Sequence, residues 1–158
     1  VTDDDGTAAR IICGNLWGTD GAVDGVAASP NYFDITVPPN TSKRIKVEIS
    51  RNAFAYIFSG EGDFSGASEP RDVKTEFVGG GDDPGFAGNR TLVLFDRGDE
   101  IQVTTKDSGV RFLLVSCEPI REPVAWYGPI VMNTQEELRI ATQEFQSGTF
   151  LKHRGDIK

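Results

Sequence analysis

The sequence predicts a mainly β fold, with a barrel or sandwich of short strands followed by one C-terminal helix. The 158 residues include 18 glycines and 8 prolines, which favours many turns over long helices. Short apolar segments recur at nearly regular spacing between turn residues, as they do in antiparallel barrels and sandwiches. A strong helix-start pattern occurs near the C-terminus. These three observations define the expected architecture.

The predicted strands are short and lie between turn residues. Residues 45–49 alternate apolar and charged side chains, which indicates a half-buried strand. Residues 53–58 form an apolar, aromatic-rich run, and we expect a sharp reversal at the following Gly60-Glu61-Gly62. Three further strands are predicted at residues 91–95, 101–103 and 110–115.

A single helix is predicted at about residues 134–147. Thr134 and Glu137 form a capping-box pattern, in which each side chain can bind the backbone N–H of the other residue. Gly148 supplies the left-handed conformation that commonly ends a helix. The helix should therefore begin at Thr134 and end just before Gly148.

The predicted helix needs a surface to pack on, because a helix of about 14 residues is marginal in water by itself. Leu138, Ala141 and Phe145 fit helical periodicity, and we expect all three to be buried against the barrel. Chain length favours one domain. The expected organisation is a single domain over residues 1–158, with a barrel at about 7–131, the helix at about 134–147 and a tail at 148–158.

Charge and hydropathy exclude several classes of partner. The formal net charge is −8, which repels nucleic-acid phosphates, so we expect no direct nucleic-acid binding. No apolar run approaches the roughly 20 residues that a bilayer-spanning helix needs, and we expect no membrane partner. The acidic start at residues 1–5 differs from a signal peptide. A soluble, cytoplasmic protein is expected, or a nuclear one in a eukaryote.

The usual catalytic patterns are missing from the sequence. His153 is the only histidine, so a Ser/His/Asp or Cys/His mechanism would have to recruit a residue of the tail. The glycine-rich residues 79–85 match neither a phosphate-binding loop nor a calcium-binding loop, and a surface loop is the expected role. We therefore expect no catalytic residues in this chain.

Three segments resemble one known protein family. Residues 112–134 include the compositionally unusual run EPVAWYGP at 122–129, which looks like the signature ending of pirin-like proteins. Residues 54–62 (FAYIFSGEG) are similar to the strand and Gly-x-Gly turn of cupin barrels, and residues 95–101 (FDRGDEI) to a later turn of the family. The resemblance implies a cupin-type (jelly-roll) β-barrel with one C-terminal α-helix, of the kind found as the C-terminal domain of pirin-like proteins.

Pirin-like proteins have two cupin barrels, of which the first binds iron, and this chain resembles the second. Cupin metal sites use three histidines and a glutamate, a ligand set that suits iron with open positions. Cupin spacing places the four ligand positions near Val47, Ile49, Ala53 and Ile101, which are all apolar. We therefore expect no metal site and no cofactor in this chain, barring an all-carboxylate site for a harder cation. Iron is expected only in the N-terminal cupin of a parent protein.

Two groups of aromatic side chains are candidate binding residues. Tyr56, Phe58 and Phe112 could line a cavity inside the barrel. A second group, made of Trp126, Tyr127 and Met132, could cover the barrel mouth and anchor the helix. The same group could instead form an interface, for which aromatic residues and Met are enriched. Both interpretations of the second group stay open on the sequence alone.

The leading hypothesis is a metal-free structural and interaction half of a pirin-like protein. Its partner would be an N-terminal cupin domain or another protein. For such a parent the family implies either quercetin 2,3-dioxygenase activity or transcriptional co-regulation, and neither transfers to this half residue by residue. The alternative is a stand-alone cupin that binds a small molecule in its barrel. We expect this chain alone not to be an enzyme.

Overall fold

The computed structural model describes residues 1–64, 67–72 and 86–151. In this part of the chain, no helix has the length and apolarity to span a bilayer. The elements are the strands β1 (Ala8–Cys13), β2 (Asn15–Leu16), β3 (Thr19–Asp20), β4 (Asn31–Val37), β5 (Ser42–Lys46), β6 (Asn52–Asp63), β7 (Ala67–Asp72), β8 (Phe86–Gly88), β9 (Thr91–Phe95), β10 (Glu100–Thr104), β11 (Val110–Cys117), β12 (Ala125–Tyr127) and β13 (Ile130–Met132), and the helix α1 (Gln135–Ser147).

The chain separates into two compact units, Val1–Pro119 and Ile120–Lys158. The first unit contains a curled antiparallel sheet with strand order β1-β4-β11-β6-β10-β5. Strand β9 pairs with β6 and β7, and β8 pairs with β6. The second unit contains the β12–β13 hairpin and α1. The mainly β fold with one C-terminal helix is confirmed.

The core of the first unit is built from alternate residues of these strands. In the register, Phe112 of β11 lies between Ile35 of β4 and Ile57 of β6, and all three side chains are fully buried. Residues two positions apart share a face of a strand, so the same face continues along each strand. The ring of Phe64 meets Phe112 edge-on, with centroids 5.2 Å apart. Close packing of large apolar side chains thus fills the space that the sheet encloses.

Most predicted strands agree with the structure, with one correction near residue 49. Residues 91–95 form β9, and the predictions at 101–103 and 110–115 lie within β10 and β11. The strand predicted at 45–49 is β5, which ends at Lys46. Ile49 is 62% exposed, because the chain turns there and the Arg51 N–H binds the Glu48 carbonyl at 3.0 Å. The alternating pattern at 45–49 therefore predicted a strand that continues beyond its actual end.

The reversal predicted at Gly60-Glu61-Gly62 is wrong, because β6 runs through it to Asp63. The glycines serve close approach instead. Gly60 has φ +70°, and a Cβ built on it would lie 1.9 Å from the carbonyl oxygen of Gly109. The register against β11 slips by one residue just before it, so that Phe58 is the extra residue of a β-bulge.

The helix prediction is confirmed, but the burial of one residue is not. Thr134 caps α1 through a complete capping box, and Gly148 ends it at φ +74°. Leu138 and Ala141 are buried, and they form a small core with hairpin residues. Phe145 is 59% exposed, because it lies in the last turn, and its ring meets Phe150 with centroids 6.3 Å apart. Two predictions, the loop at residues 79–85 and the tail position of His153, fall outside the described residues.

Candidate functional site

The four positions expected for cupin metal ligands carry side chains that cannot bind a metal. Ala53 and Ile101 are buried in the apolar core, Val47 packs against it, and Ile49 is exposed. Within the described ranges, no three His, Cys, Asp or Glu side chains cluster as metal ligands would. The residues present therefore do not fit the iron that the cupin resemblance implies.

Tyr56, Phe58 and Phe112 do not converge on one cavity. Phe112 is fully buried among core side chains, opposite Ile57. Tyr56 pairs with Leu113 in the register, on the other face of the sheet, and it is only half-buried. Phe58 is also half-buried, at the bulge, and its ring lies 5.0 Å from the guanidinium carbon of Arg111. Tyr56 of β6 and Phe112 of β11 therefore lie on neighbouring strands but on opposite faces of the sheet, as period-two alternation requires.

The second group of candidate residues lies in the unit Ile120–Lys158. Trp126 and Tyr127 are 72% and 70% exposed, whereas Met132 packs against the small core around Leu138. The Trp126 indole N–H donates to the Gly128 carbonyl at 2.6 Å, which fixes the ring. Together with one side of α1, these two aromatic rings line an open groove of about 430 Å³. The structure thus brings Trp126 and Tyr127 together on an accessible surface.

An ion-pair cluster around the buried Lys43 was missed by the sequence analysis. Lys43 is in phase with Ile45 on the buried face of β5, and its ammonium binds the carboxylates of Asp3 and Asp5, the latter at 2.9 Å. The ring of Trp17 lies 4.8 Å from the same ammonium. The acidic N-terminal residues are therefore partners of a buried cation rather than only solvated charges. The signal available was a lysine in an apolar phase of the strand.

The cluster shifts the pKa values of its members. The hydrogen bond from Lys43 lowers the pKa of Asp3. Burial works against ionisation of Asp5, but hydrogen bonds from the Thr7 backbone and from Lys43 outweigh it and lower the pKa of Asp5. Burial also disfavours the charged form of Lys43, yet its hydrogen bonds to the two carboxylates raise its pKa. All three groups are thus held in their charged forms.

A pocket of about 470 Å³ in the first unit was also missed. It lies beside the segment that connects β1 to β4, and its lining includes Asn15, Asp24, Asn31 and Arg51. The side chain of Arg51 is only 9% exposed. The sequence offered little to find it, since an arginine next to a turn is ordinarily a surface residue.

Comparison with known protein families shows which family the chain belongs to. The family described as the pirin C-terminal cupin domain matches residues 32–151. The chain belongs to the pirin family. Among curated pirin-like proteins, the one from Solanum lycopersicum is 34% identical over 146 residues, covering 91% of this chain and 44% of the relative. The pirin-like protein of Caulobacter vibrioides is 32% identical over 148 residues, covering 93% and 47%.

Solved structures support the same fold. A crystal structure of quercetin 2,3-dioxygenase from Acinetobacter baumannii matches with a TM-score of 0.73 and 22% identity, covering 96% of this chain and 46% of that chain. The likeness confirms the cupin-type fold. This pirin-family chain spans about half the length of the curated relatives it matches.

Proposed function

We propose that this chain is the metal-free C-terminal cupin half of a longer pirin-type protein and acts there as a structural and interaction module. The observation that carries the proposal is the apolar character of the four ligand positions, Val47, Ile49, Ala53 and Ile101. The chain covers about half of the length of its relatives, which supports an N-terminal half in the longer protein. In this proposal, iron and the dioxygenase or co-regulator activity expected of the family belong to the parent protein.

The exposed apolar surface of the unit Ile120–Lys158 supports the interaction role. Trp126 lies opposite Val131 in the β12–β13 register, and these two side chains and Tyr127 are all more than half exposed. Covering exposed apolar groups with a partner lowers the free energy of the complex. Tryptophan and tyrosine are enriched among the residues that dominate binding. The partner surface is proposed to be the remaining part of the longer protein.

Separate production of the two halves tests this proposal. The part of the gene upstream of Val1 would be expressed by itself and mixed with this chain, and complex formation would be measured by light scattering and calorimetry. We expect a complex whose affinity falls at least about tenfold with Trp126→Ser, as for a hot-spot residue. Ile49→Ser, at an exposed apolar position in the other unit, is the matched control and should leave the affinity unchanged.

The same experiment can refute the proposal. It fails if the upstream reading frame encodes no second cupin barrel, or if two purified halves do not associate. Equal losses of affinity in Trp126→Ser and Ile49→Ser would show that the aromatic surface is not a specific part of the interface. Iron measured in the upstream half, and not in this chain, is the expected distribution.

A further inference from the structure

The pocket beside Arg51 is bounded by tightly packed backbone. A Cβ on Gly14 would lie 2.1 Å from the Asn31 side-chain oxygen, and one on Gly21 would lie 2.7 Å from the backbone of Ile12 and Cys13. The backbone N–H of Gly21 also binds the carbonyl of Gly14 at 2.8 Å. Such close contacts leave the pocket walls little freedom to collapse into the space.

Arg51 has more hydrogen-bonding capacity than the described residues use. A guanidinium carries five N–H donors. Nη1 of Arg51 donates to the Ser29 carbonyl at 2.5 Å, whereas Nε is buried and has no hydrogen-bond partner in the described part of the chain. The same Nε forms an ion pair, without hydrogen-bond geometry, with the largely exposed carboxylate of Glu48, whose Oε2 lies 3.3 Å away. The guanidinium can therefore take a further acceptor, and a carboxylate matches its fork geometry best.

The backbone next to Arg51 is strained. Ala28 and Ser29 have φ values of +64° and +43°, which side-chain-bearing residues rarely adopt. The carbonyl of Ala28 accepts from the Glu118 N–H at 3.1 Å, and that of Ser29 accepts from Arg51. Strain that the surrounding structure holds in place is common at ligand-binding sites.

The charged residues around the pocket indicate which kind of carboxylate ligand would fit. Asp20 and Asp24 line the same pocket as Arg51, and Asn15 donates from its side-chain amide to Asp20 at 2.7 Å. A simple anion would meet these two carboxylates, and the whole chain carries a net charge of −8. A ligand with an ammonium group as well as a carboxylate would satisfy both signs of charge. The pocket also has apolar wall residues, including Val23 and Val26.

We propose that this pocket binds a small zwitterion, a free α-amino acid with an apolar side chain. Its carboxylate binds the Arg51 guanidinium, its ammonium faces Asp20 and Asp24, and its side chain packs on the valines. The proposed ligand is independent of the iron chemistry and of the interaction surface around Trp126.

A set of three probes with nearly the same carbon skeleton tests the proposal by ¹⁵N-resolved NMR titration. L-leucine carries both charges, 4-methylpentanoate carries the carboxylate alone, and 3-methylbutylamine carries the ammonium alone. We expect saturable shifts of the Ser29 and Asn31 signals with L-leucine, and affinities at least about tenfold lower for the other two probes, because each lacks one charge-assisted contact.

Two variants and one control complete the test. Arg51→Gln and Asp24→Asn should each weaken L-leucine binding about tenfold or more. Arg44→Gln, at an exposed arginine of β5, is the matched control and should bind like the native chain. Asp24 is exposed, so its variant remains informative if Arg51→Gln fails to fold. Absence of L-leucine binding, equal binding of 4-methylpentanoate, or full affinity in Asp24→Asn would overturn the proposal.

Discussion

At the scale of single residues, glycines set how closely the strands approach. Gly60 combines a left-handed φ with a Cβ position only 1.9 Å from the Gly109 carbonyl oxygen. Gly18 has a similar φ of +76°, but nothing lies within 4 Å of its Cβ position. A substitution at Gly18 therefore tests backbone strain alone, whereas one at Gly60 tests strain together with a steric clash.

We expect Gly18→Ala to lower the free energy of unfolding by about 1 kcal/mol, since only the left-handed conformation is penalised. Gly60→Ala should cost about 3 kcal/mol or more, because β6 must also move away from β11. Urea unfolding of both variants measures the difference. Equal costs would mean that the close approach at Gly60 does not constrain the sheet.

The ion-pair cluster of Asp3, Asp5 and Lys43 makes stability depend on pH. The lowered aspartate pKa values mean that its stabilisation is fully present above their ordinary value of 3.8 and is lost as pH falls through the lowered values. The raised pKa of Lys43 means that its stabilisation is present below 10.5 and is lost as pH rises through the raised value.

Lys43→Met should therefore destabilise the protein at neutral pH and destabilise it less at an acidic pH below the lowered aspartate pKa values, where the aspartates are protonated in either state. Urea unfolding of the native chain and the variant at both pH values measures this difference. Arg44→Met, on the exposed face of the same strand, serves as the control. If the free energy of unfolding of Lys43→Met differs from that of the native chain by the same amount at both pH values, Lys43 stabilises the protein through packing alone.

At the scale of elements, the helix shows what a sequence pattern can and cannot predict. The capping box and the terminal glycine predicted both ends of α1, because each depends on residues within a few positions. Burial of Phe145 depends on what lies opposite the last turn, and periodicity carries no information about that. The exposed Ile49 and the strand running through Gly60 have the same origin, since tertiary pairing decides where a strand ends.

The helix should respond unequally to substitutions along its apolar residues. Leu138→Ala removes a buried side chain and should cost about 2 to 5 kcal/mol. Thr134→Ala should cost about 1 kcal/mol through loss of the cap, and Phe145→Ala at most about 1 kcal/mol, as for exposed positions. Denaturant unfolding followed by helical circular dichroism provides the ranking. A larger loss in Phe145→Ala than in Leu138→Ala would show that Phe145 is covered in solution.

At the scale of the whole molecule, the family could be predicted from residues 122–129 because that run is rare. The proposed binding regions were harder to predict. Trp126 and Tyr127 belong to the family signature, but that signature carries no information about their exposure, on which the proposed interface rests. The Arg51 pocket depends on residues that are distant in sequence, such as Asn15, and no local motif reports it.

The apolar ligand positions predict that the purified chain holds no stoichiometric iron and does not oxygenate quercetin. Elemental analysis after exhaustive dialysis and an oxygen-consumption assay measure the two properties. Turnover that persists after treatment with a chelator would instead favour a metal-independent enzyme. One equivalent of tightly held iron would contradict the assignment of Val47, Ile49, Ala53 and Ile101 as non-ligands.

The order of the strands also has a consequence for synthesis on the ribosome. Strand β11 lies between β4 and β6, yet it is the last strand of its unit to be translated. Until Val110–Cys117 emerges, β4 and β6 each present an unpaired edge to other nascent chains. Cotranslational folding therefore cannot complete this sheet strand by strand, and both edges stay open to aggregation until residue 117 has emerged.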